Sequence, residues 1–83
     1  MKYIVVENRY GEYAILFDEI LDHSEVAGRQ KVLSAGFCCV QGVEGKYGDV
    51  AQTTCCWGES VTLNRKARTE DVRFVERVLV NRL

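Results

Sequence analysis

Proline is absent from this chain of 83 residues, so no turn can rest on a ring-fixed φ, and punctuation falls to seven glycines helped by Asn and Asp. Histidine occurs once, at His23, and there is no Cys-x-x-Cys pair, which leaves no usual zinc-ligand spacing. No apolar run approaches the ~20 residues of a membrane helix. Nor does a signal-sequence core follow Met1: after Lys2 come only Tyr3, Ile4, Val5 and Val6 before Glu7. These absences lead to the expectation of one small cytoplasmic domain over residues 1–83, with reduced thiols, no metal and no cofactor. A chain of this length buries only about 60 to 65% of its unfolded surface. Homodimerisation would be one way to bury more.

Two adjacent cysteine pairs, Cys38-Cys39 and Cys55-Cys56, stand in strand-like stretches joined by a Gly-containing loop. If those stretches close as an antiparallel hairpin near Lys46-Tyr47, Cys38 falls opposite Cys55 or Cys56, and Cys39 opposite the other. Neighbouring strand residues point to opposite faces, so one thiol of each pair is expected in the core and its neighbour on the far side. Two readings compete: thiols packed as small hydrophobes, and a redox or metal cluster.

Lys2 to Glu7 and Glu12 to Asp18 read as strands around the turn Asn8-Arg9-Tyr10-Gly11, a first antiparallel hairpin. Asp22-x-x-Glu25 has the form of a capping box, with Leu21 and Val26 placed as a hydrophobic staple, and predicts a short helix ending near Gln30 or Lys31. Val32 to Val43 and Val50 to Leu63 return to strand character, with a bulge or bend at Gly58 that would create a fifth strand. Thr69 is placed to cap a final helix, with Glu70 and Asp71 on its first turn and Val72, Val75, Val78, Leu79 and Leu83 along one face. The order ββαββ(β)α predicts an α+β fold: an antiparallel sheet of four or five strands with two helices packed on one face.

Formal charge is only −1, yet it is unevenly spread. Tyr10 to Gly28 carries five acidic residues and no Lys or Arg, while Asn64 to Leu83 carries six basic residues against three acidic ones. Glu12, Asp18, Glu19 and Asp22, with Lys46 and Tyr47 at the hairpin tip, are the candidate partner-binding residues. Arg65, Lys66, Arg68 and Arg73 are the candidate nucleic-acid contacts, although the acidic pI of about 5.8 and the interleaved Glu70, Asp71 and Glu76 oppose that reading. No catalytic set emerges. His23 lies on a first helical turn, where the dipole disfavours its cation, and no nucleophile is placed beside it. Gly45-Lys46 lacks the following Ser or Thr and the helix that a phosphate loop requires.

Ser34-Ala35-Gly36-Phe37, Cys56-x-Gly58-Glu59-Ser60-Val61-x-Leu63 and Arg68-x-Glu70-Asp71 resemble segments of small uncharacterised proteins of bacteriophages and bacterial mobile elements, over about half of the chain. The resemblance implies a context: small acidic phage proteins often act by binding, and some are inhibitors of host immunity, anti-CRISPR proteins among them. It carries over no catalytic residue. The expectation is therefore a non-enzymatic interaction protein that occupies the surface of a host protein or ribonucleoprotein complex. The alternatives are a small nucleic-acid-binding accessory protein and a Cys-dependent redox or metal protein.

Overall fold

A computed structural model of the chain describes residues 1–44 and 50–81, with side chains described for 1–40 and 53–80. Strand β1 (Lys2–Asn8) turns through Gly11, at φ +122°, into β2 (Gly11–Phe17). A single helical turn α1 (His23–Ala27) leads to the long β3 (Lys31–Glu44), which pairs with β4 (Val50–Trp57). Two short strands, β5 (Glu59–Ser60) and β6 (Arg65–Lys66), precede α2 (Asp71–Asn81). The main sheet has the order β2-β1-β3-β4 and every pairing in it is antiparallel, giving the expected α+β class.

The helices do not share a face. Tyr3, Val5, Ala14, Leu16 and Cys38 form one core with Phe74 and Val75 of α2, whereas Ile4, Val6, Phe17 and Ala35 form a second core with Ala27 of α1. Strand side chains alternate between faces, so α1 and α2 cover opposite sides of the sheet. This corrects the one-face expectation, and the physical reason is in β1 itself. Tyr3, Ile4, Val5 and Val6 are consecutive and all buried, as a strand requires when both of its faces are covered.

Two further corrections concern glycine. Gly28 takes φ +54° and its N–H donates to the Ser24 carbonyl at 3.2 Å, so α1 stops well before Gln30. Gly58, at φ +81°, turns the chain out of β4; the fifth strand exists, but it pairs with β6 in a separate two-stranded sheet and ends at Ser60 instead of running to Leu63. A Cβ on Gly36 would collide with the Trp57 carbonyl, so glycine there lets β3 and the end of β4 approach closely.

The first half of β3 pairs with β1 through Phe37, and the second half pairs with β4 from Phe37 onward. Beyond Cys38, β3 and β4 form an arm that leaves the sheet's body. The extents of 47 × 27 × 21 Å and the radius of gyration of 13.6 Å reflect it, since a compact chain of this length would give about 12 Å.

Candidate functional site

The most elaborate polar site is Asp71, which sequence reading places as an ordinary acid on a first helical turn and which is fully buried. Its Oδ1 accepts from Ser34 Oγ at 2.8 Å and Arg68 Nε at 2.9 Å; its Oδ2 accepts from Tyr3 Oη at 2.5 Å and the Arg68 backbone N–H at 2.8 Å. A carboxylate offers about four lone-pair directions. All four are used, so no capacity remains to take up a substrate proton, and the residue is inaccessible. Asp71 is a structural tie between α2, β1 and β3. Burial first, and the neighbouring carboxylate second, raise the Tyr3 hydroxyl far above its ordinary range.

His23 is equally committed. Its ring is buried edge-on to Phe17 at 5.4 Å and Phe37 at 5.8 Å, and Nε2 donates to the Gly36 carbonyl at 2.9 Å. The cysteines sit in the expected cross-strand arrangement, Cys38 opposite Cys56 and Cys39 opposite Cys55, with no disulfide. Cys38 and Cys56 lie on the α2 face. Cys39 and Cys55 fall on the other one. Burial, with Cys38 and Asp71 adding to it, pushes the Cys56 thiol up to about 12. Among the described residues no group of three or more His, Cys, Asp and Glu side chains is placed to hold a metal ion.

The basic candidates do not assemble. Arg68 is partly buried on Asp71, with Glu12 at 3.7 Å and Glu70 at 3.8 Å, so it is spent inside the fold. Arg65 Nε donates to the Val32 carbonyl at 3.1 Å. Lys66 and Arg73 are exposed on separate elements, and Arg73 shares the outer face of α2 with Glu76, Arg77 and Val80 around an open hollow of about 430 Å³.

The acidic candidates divide. Glu12 faces Arg68 and stands about 20 Å along β2 from Asp18, so it leaves the proposed acidic group. Lys46 and Tyr47 lie outside the described residues. Asp18, Glu19 and Asp22 do come together. Asp18 organises the turn, accepting from the Ile20 N–H at 3.0 Å through Oδ1 and from the Leu21 N–H at 3.1 Å through its carbonyl. Glu19 meets the Met1 amino group at 3.0 Å, and Lys2 Nζ donates to the Leu21 carbonyl at 3.0 Å. Asp22 caps α1, its N–H donating to Glu25 Oε2 at 3.0 Å, and its Oδ1 receives Thr62 Oγ1 at 3.5 Å.

Those bonds assemble a surface that the acidic residues alone do not reveal. Ile20 is 89% exposed and Leu21 43%. The Asp22 to Thr62 contact brings up the turn carrying Val61, itself 85% exposed. His23 leads through Phe37 to Trp57, which stacks on Phe37 at 6.2 Å and is half exposed. An open hollow of about 410 Å³, lined by Met1, Leu16, Phe17, Asp18 and Glu19, borders the same loop. The signal that could have found this surface is a pair of large aliphatic residues, Ile20 and Val61, inside turns that have no core to receive them.

Comparison of the chain with protein-family models, with curated proteins and with solved structures finds no match. Among the described residues no helix is long and apolar enough to cross a membrane.

Proposed function

We propose that this protein is a non-catalytic binding protein that docks on a partner through the surface around the start of α1. The observation that carries the reading is a set of exposed apolar residues, Ile20, Leu21, Val61 and the half-exposed Trp57, on segments tied to the start of α1 by the Asp22 to Thr62 bond and by the His23, Phe37 and Trp57 ring contacts, with Asp18, Glu19, Asp22 and Glu25 exposed on the same loop and helix. Binding surfaces combine a water-excluding apolar centre, often holding Trp, with a polar rim that selects the partner. Four carboxylates against the Met1 amino group and Lys2 leave this rim with a net charge of −2, which suits a partner whose docking site is apolar at its centre and edged by Lys or Arg. A site built to hold an RNA or DNA backbone supplies the Lys and Arg of such an edge. The resemblance to phage proteins supplies the partner class: a host protein or ribonucleoprotein defence complex, blocked in the manner of an anti-CRISPR protein.

The test is association of the purified protein with RNA-guided defence complexes, by light scattering and by loss of target-DNA binding. Wild type and Arg65→Glu/Lys66→Glu are expected to bind, and Asp18→Lys/Glu19→Lys to lose binding by about tenfold or more. Equal binding by all three would remove the acidic rim from the mechanism. Direct, steeply salt-dependent retention of RNA or DNA by the protein alone would favour the nucleic-acid reading instead.

A further inference from the structure

The backbone decides which of the two cysteine pairs can be joined. The Cys38 N–H donates to the Met1 carbonyl at 2.8 Å, on the β1 side of β3. Both polar backbone groups of a strand residue point the same way, so Cys38 turns its back on β4 and its pairing with Cys56 is a non-hydrogen-bonded one. Cys39, one residue on, faces β4 and forms a hydrogen-bonded pair with Cys55. Non-hydrogen-bonded partners have Cα atoms about 4.5 Å apart with closer side chains, and hydrogen-bonded partners about 5.5 Å. Opposed Cβ atoms lie about 4.5 to 5.5 Å apart, closer in non-hydrogen-bonded pairs, and a disulfide needs about 3.5 to 4.5 Å, so the Cys38 and Cys56 pair can bond with the least movement of the sheet.

We infer that Cys38 and Cys56 are a redox-sensitive staple at the root of the β3–β4 arm, closed by small-molecule disulfides, and that Cys39 and Cys55 remain thiols. The position gives the staple a purpose. β1 begins at Lys2, opposite Phe37, and Met1 just before it meets Cys38; past that point β3 pairs with β4 alone. A two-stranded ribbon is marginally stable by itself, and a bond at its root holds the strands in register.

Closure proceeds by two exchanges. The Cys56 thiol, the more accessible of the two, loses its proton to solvent only in small part because burial holds it, so the first step is slow; its sulfur then attacks one sulfur of the small disulfide, breaking that S–S bond and releasing one small thiol. The deprotonated Cys38 sulfur then attacks Cys56 Sγ and displaces the second. Two protein thiols are oxidised to one disulfide, and one small disulfide is reduced to two thiols.

The experiment uses the wild-type chain with excess oxidised glutathione at pH 8.5, followed to completion. After acid quenching, remaining thiols are alkylated in denaturant, the disulfide is reduced, and tryptic peptides 32–46 and 47–65 are fragmented to locate the label. Label on Cys39 and Cys55 only, with a thermal midpoint raised by about 10 °C or more, is the expected result. Label on Cys38 and Cys56, label on all four, or a glutathione adduct on Cys56 in a portion of the digest left unreduced would overturn the proposal. The double variant Cys39→Ser/Cys55→Ser should still close, whereas Cys38→Ser/Cys56→Ser should not; the reverse ranking would also overturn it.

Discussion

Replacing Asp71 by Ala removes the acceptor for Tyr3 Oη, Ser34 Oγ, the Arg68 N–H and the Arg68 guanidinium together. Each buried donor left without a partner costs about 1 to 3 kcal/mol, and breaking a buried ion pair from one side costs about 3 to 5 kcal/mol. These figures overlap because Arg68, which is only partly buried, can turn toward Glu12 and water, so a total of about 3 to 5 kcal/mol is expected. A domain of 83 residues has roughly 4 to 12 kcal/mol of stability, so the variant should stand near the edge of unfolding. Urea unfolding followed by the fluorescence of Trp57, the single tryptophan, measures it. Tyr3→Phe should cost about 1 to 2 kcal/mol in the wild type and much less beside Asp71→Ala, because the hydroxyl's partner is already gone. An Asp71→Ala loss below about 1 kcal/mol, or strict additivity with Tyr3→Phe, would refute the claim that this carboxylate ties α2 to the sheet.

Val75→Ala removes two methyl groups from a fully buried site on α2 and should cost about 2 to 3 kcal/mol in the same urea assay, whereas Leu79→Ala, at a partly buried position against the same core, should cost less. Gly36→Ala places a methyl group against the Trp57 carbonyl and 3.1 Å from Ala67 Cβ; a loss of about 1 to 3 kcal/mol is expected, and an unchanged midpoint would mean that β3 and β4 separate freely there. The Cys56 thiol ionises near 9.0 when unfolded and about 12 when folded, so the folded state holds its proton more tightly. Its contribution is complete below about pH 9 and is lost as pH climbs toward 12, so wild type should lose more stability than Cys56→Ser between pH 8 and 10.5.

The two hairpins and the cross-strand cysteines were legible because β-branched runs bounded by glycine turns specify strands, and a period of two fixes what each side chain faces. The periodic valines of α2 were legible for the same kind of reason. Tyr3 to Val6 also held the evidence for a sheet covered on both sides, since four consecutive buried apolar residues leave no face for water. Strands of two residues, as in β5 and β6, carry no readable period. Asp71 was opaque because an acid on a first helical turn has the same local sequence whether it meets water or, as here, Tyr3 and Ser34 from distant strands. The proposed docking surface was half legible: Asp18, Glu19 and Asp22 stood out by charge, but only the fold ties the turn carrying Val61 to Asp22 and links Trp57 through Phe37 to His23.

Ile20→Asp tests the account most directly, because Ile20 is 89% exposed and its loss should leave the fold unchanged. The measurement is the dissociation constant of wild type and of the variant for the RNA-guided defence complexes of the proposal, taken beside the urea midpoint of each protein. The account predicts a midpoint within about 0.5 kcal/mol of wild type and binding weaker by about tenfold or more. An unchanged midpoint with undiminished binding would contradict it.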